Sequence, residues 1–209
     1  MYLDAAMALF SEREAIPPED VHGFTEEEVL HLEQELGQAL PAAYKEFLLW
    51  MGHGAKGFMV GDLMYFPRIP GYAEAPWDLT KEAHKLLDES AFPEPLPVDA
   101  FVFSMHEGYQ FWFFRFTEGD DPPVYGFGDG QTKDHFDVID GTFSEFMLRT
   151  VDDDIRAKQQ LEEWRRRGRG EAITRANLAP LSRQLPLRWR GEPGRTADPM
   201  PCKIAPACT

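Results

Sequence analysis

An α+β fold, an antiparallel sheet with helices packed on one face, is what this sequence predicts, and three observations carry the prediction. Helical periodicity with clear caps is concentrated between residues 24 and 51. Aromatic-rich runs separated by turn clusters fill residues 100 to 140. A capping signature at Thr142 then opens a closing helix. Helices first, then strands with one helix inserted, then a last helix is the order of an α+β layer arrangement rather than of a parallel sheet.

Residues 2 to 13 suit a short helix, and "IPPEDVHG" (16–23) reads as a turn or linker. In "FTEEEVLHLEQELG" (24–37), Thr25 and Glu28 have the spacing of a capping box, with Phe24 as the hydrophobic staple. Val29, Leu32 and Leu36 form its buried stripe, and Gly37 ends it. A second helix follows, with Pro41 at its first position and Leu40, Tyr44, Phe47, Leu48 and Met51 on one face. "GFMVGDLMYF" (57–66) reads as two short strands around a Gly61-Asp62 turn. "LTKEAHKLLDES" (79–90) is helical, with Leu79, Ala83, Leu86 and Leu87 inward. Strands are expected over 100–104, 109–116, 123–128 and 135–140. Phe111 to Phe114 put aromatics on both faces of one strand, which fits a central strand with both faces covered. The closing helix opens at the Thr142/Glu145 box, with Phe143, Phe146, Met147 and Val151 inward, and extends toward Trp164. From residue 168 to 209 the chain is rich in Arg, Pro and Gly without periodicity and is expected to be a disordered basic tail.

"GHGAKG" (52–57) has the Gly-x-Gly-x-x-Gly spacing of a dinucleotide-binding loop. Such a loop follows a strand and opens a helix, whose N-terminus faces the phosphate. Here the glycines follow a helix, where unpaired carbonyls repel phosphate. Gly52 is therefore expected to be the left-handed residue that closes the helix.

The chain has 209 residues, is 43% hydrophobic and 13% aromatic, and carries a formal net charge of −15. The charge is uneven: residues 1–155 hold 9 Lys+Arg against 31 Asp+Glu, a net of −22, and residues 156–209 hold 12 against 5, a net of +7. Such an acidic body repels nucleic acid and suits a basic partner. Both cysteines, Cys202 and Cys208, lie in the last eight residues, so the body has no disulfide framework and no zinc-finger spacing. No signal-peptide pattern and no membrane-length apolar run is present, and a cytoplasmic protein is expected.

No nucleophile motif, no helical pair of histidine metal ligands and no cofactor motif can be read, so no catalytic, metal or cofactor-binding residue is assigned. The carboxylates in turns around the strands are the candidates for a partner surface: Asp62, Glu107, Glu118, Asp120, Asp121, Asp129 and Asp134. If several of these turns lie at one edge, their fields add and draw a basic patch toward it. The competing readings are plain solvated turns, in which Asp and Gly serve turn conformations, and an acidic metal or catalytic site. "RRRGRG" (165–170) either complements the dipole at a helix C-terminus or binds RNA or an acidic partner.

The capping-box helix, "LPAAYKEFLLWMGHG", "FVFSMHEGYQFWFFRF", "TEGDDPPVYGFGDG" and "TFSEFMLR", in that order, resemble the SUKH superfamily of Smi/Knr-like domains over about residues 20 to 150. The branch in question is shared by bacterial immunity proteins and the yeast cell-wall-synthesis regulator. An Asn-Gly pair common after the second helix is replaced here by Gly52-His53-Gly54, and the tail has no counterpart. The resemblance implies a non-enzymatic domain that binds a protein, either a toxin delivered between competing bacteria or a signalling partner. On this reading residues 1–19 are a helical extension, 20–155 the Smi/Knr-like domain, and 156–209 a helix extension with the basic tail.

Overall fold

The computed structural model describes residues 1–13, 16–59, 64 and 79–166. Among these residues are five α-helices, α1 (Asp4–Glu12), α2 (Glu26–Leu36), α3 (Ala42–Met51), α4 (Leu79–Glu89) and α5 (Phe143–Arg166). Strands β3 (Ala100–His106), β4 (Gln110–Arg115), β5 (Val124–Gly128) and β6 (Asp137–Asp140) form an antiparallel sheet in the order β3-β4-β5-β6. Strands β1 (Val21–His22) and β2 (Gly54–Ala55) form a separate antiparallel pair. The fold is α+β, as the element order predicts. Of the expected hairpin at 57–66, residues 57–59 are turn, and the Gly61-Asp62 pair lies outside the described residues, as does the 168–209 tail.

Local chemistry sets the helix ends. The Thr25 hydroxyl accepts from the Glu28 amide at 3.2 Å, and the Glu28 carboxylate accepts from the Thr25 amide at 2.8 Å, completing the capping box. Gly37 closes α2 at φ 68°, a conformation that costs a non-glycine residue. Gly52 does not do this for α3. Its φ of −58° and ψ of −26° are right-handed helical, contrary to the expectation from its position. Its lack of a side chain has another cause: a Cβ there would stand 2.6 Å from the Leu48 carbonyl oxygen and 2.7 Å from Phe24 Cδ1. Pro41 is the residue just before α3 rather than its first member. The glycine cluster supplies β2, which pairs with β1 from the stretch read as a linker.

The sheet has a core on each face. On the larger face, β3 to β5 bury Phe103, Phe114 and Val124 with residues of α1, α2, α3 and α5. Tyr44 sits at its centre, with ring centroids of Phe47, Phe101, Phe114 and Phe143 between 5.2 and 5.6 Å away. On the other face Val102, Met105, Phe111, Phe113, Phe127 and Phe136 pack with Ala83, Leu86 and Leu87 of α4. Both faces of β4 are thus covered, as its unbroken aromatic run requires. A bulge between Val102 and Ser104 shifts the alternation of β3, so that Met105 pairs with Phe111 and joins the same core as Val102.

Candidate partner-binding surface

Consecutive turns of an antiparallel meander fall at opposite ends of the sheet, and this geometry divides the predicted carboxylates. The β3–β4 turn and the β5–β6 connection share one end, bringing Glu107, Asp129 and Asp134 together. The β4–β5 connection, with Glu118, Asp120 and Asp121, lies at the other. The six described candidates therefore do not form a single edge. Asp62 lies outside the described residues.

At the β4–β5 end most of the carboxylate chemistry is turned inward. Asp121 accepts from the Ser144 amide at 2.9 Å and from its hydroxyl at 2.6 Å, so it caps the first turn of α5. Glu118 accepts from the Tyr125 hydroxyl at 3.0 Å and lies 3.7 Å from the Arg115 guanidinium. Asp120 offers its backbone carbonyl to the Ala43 amide at 2.9 Å, satisfying a donor in the first turn of α3, while its side chain is exposed. Nearby, Asp99 accepts from Arg115 Nε at 2.9 Å and from the Thr117 hydroxyl. The Thr117 hydrogen bond, with help from Arg115, outweighs burial and holds the Asp99 carboxyl below the usual carboxylate range.

The opposite end is turned outward. Glu107 and Gly108 both have positive φ, 45° and 79°, in a tight turn closed by the Tyr109 amide donating to the His106 carbonyl at 3.1 Å. This turn presents Tyr109 45% exposed. The Asp129 amide donates to the Tyr109 carbonyl at 2.8 Å, which ties the two connections together. Asp129 also accepts from the Ser90 hydroxyl at 3.2 Å, so the C-terminal turn of α4 joins the same end and adds exposed Asp88 and Glu89. Asp134 is exposed, and a 3.1 Å hydrogen bond with His135 keeps its carboxyl below the usual range. The carbonyl end of α4 adds negative dipole character to these carboxylates.

Sequence reading missed Asp88, Glu89 and Tyr109. The alternation of meander turns could have separated the two carboxylate groups. Nothing local could have placed the end of α4, because the Ser90–Asp129 bond spans 39 residues. His106 is half-buried beside Tyr109, with ring centroids 5.4 Å apart. Among the described residues no three His, Cys, Asp or Glu side chains are grouped to hold a metal. Among the same residues no helix is long and apolar enough to cross a membrane. Residues 23–149 match the model of the SMI1/KNR4 family (SUKH-1). No curated protein matches the chain.

Proposed function

The chain belongs to the SMI1/KNR4 family (SUKH-1), and from that premise we propose that it is a non-enzymatic protein-binding domain of the immunity type. Its partner is a toxin domain with a basic surface, held in the cytoplasm of the producing cell. The observation that carries this reading is the outward-facing end of the sheet. There Glu107, Asp129 and Asp134, with Asp88 and Glu89, share one end of the sheet with the half-exposed ring of Tyr109. An aromatic anchor inside a charged rim is a common arrangement for protein recognition. The rim steers a basic partner, and steering acts more on association rate than on final affinity.

The test is association kinetics with the toxin domain encoded beside the gene, at a series of salt concentrations. Glu107→Lys combined with Asp134→Lys should slow association strongly at low salt, and the effect should fade as salt shortens the reach of surface charge to about 8 Å at physiological ionic strength. Asp120→Lys, at the other end, should change it far less. Equal slowing by Asp120→Lys and by Glu107→Lys or Asp134→Lys taken singly, which change the charge by the same amount, would show that only net charge matters and would remove this surface. The second reading, a regulatory scaffold, is favoured by the contrast between the −22 body and the +7 C-terminal segment, which suits two partners of opposite charge. A neighbouring gene for a large toxin supports immunity; its absence favours the scaffold.

A further inference from the structure

We draw no further inference here: the strongest candidate, the acidic cluster around Tyr109 at the β3–β4 and β5–β6 end of the sheet, belongs to the surface already described, and nothing in the structure shows a ligand there.

Discussion

A methyl group at position 23 would stand 1.8 Å from the Leu49 carbonyl oxygen, which is inside the backbone of α3. The Phe24 amide next to it donates to the Leu48 carbonyl at 2.8 Å, so the chain is pinned there and cannot retreat without losing that bond. Gly23→Ala should therefore be the most damaging substitution among the described glycines, at or above the roughly 1–3 kcal/mol usual for overpacking. Gly52→Ala should cost less, because the backbone oxygen it meets, that of Leu48, is 2.6 Å away rather than 1.8 Å, and its other close neighbour is the movable Phe24 ring at 2.7 Å. Urea denaturation of both variants checks the order, and the reverse order would refute it. Tyr44 poses the opposite case. Its ring is fully buried among phenylalanines, and its hydroxyl has no hydrogen-bond partner. Burial pushes its pKa far up, so the group stays neutral. A buried hydroxyl without a partner costs about 1–3 kcal/mol of desolvation. Tyr44→Phe should thus leave stability unchanged or raise it, whereas Tyr44→Ala should cost about 3–5 kcal/mol, the range for removing a large buried aromatic. A clear loss of stability in Tyr44→Phe would mean that the hydroxyl has a partner in solution.

Helix α5 is an element whose start depends on a distant side chain. Thr142 caps its Glu145 amide at 3.1 Å, as the sequence spacing predicted, but Asp121 takes the Ser144 amide from 23 residues away. Sequence spacing reveals the first cap because it is local and hides the second because only the sheet brings Asp121 there. Asp121→Ala should cost roughly 0.5–2 kcal/mol, the range for losing an N-terminal cap. Asp120→Ala should cost almost nothing, since it keeps the carbonyl that Ala43 uses. Equal effects would refute the assignment. The β3–β4 pair has a comparable tie in Asp99, Arg115 and Thr117. Because folding lowers the Asp99 pKa, its contribution is fully present above the unfolded value of about 3.9 and is lost as pH falls through the folded value. Asp99→Asn should therefore be less stable than the parent at neutral pH, with the gap closing on acidification below the usual carboxylate range. A gap that stays constant with pH would show that charge is not what Asp99 contributes.

At the scale of the whole molecule, the boundaries readable in the sequence differ from those of the core. Capping boxes and aromatic runs marked α2, α3, α5 and the four-stranded sheet because each rests on local periodicity. The two-residue strands β1 and β2 have no period to read, and their pairing emerged only with the glycine cluster in place. The terminal helices are legible as helices, but not as parts of one core. The family match spans 23–149, yet α1 lies before it and α5 continues past it to Arg166. These two segments pack against each other. Leu3, just before α1, and Ala6 and Phe10 of α1 share one core with Val151 and Ile155 of α5, and Phe10 meets Trp50 edge-on at 5.1 Å. Glu46 of α3 accepts from the Tyr2 and Leu3 amides, fixing the start of α1 to the matched region. Burying one such leucine or phenylalanine contributes about 1.5–3 kcal/mol, and a domain has only about 5–15 kcal/mol to lose. Four chains separate the contributions by chemical denaturation: 1–166, 23–166, 1–149 and 23–149. Chain 1–166 should be the most stable. Each single truncation should cost several kcal/mol, because it strips the apolar partner from the other segment. Once one is gone the other has less to hold, so the double truncation should cost less than the sum of the two single ones. Additive losses would mean that α1 and the end of α5 pack independently on the domain, and a 23–149 chain as stable as 1–166 would mean that neither belongs to its core.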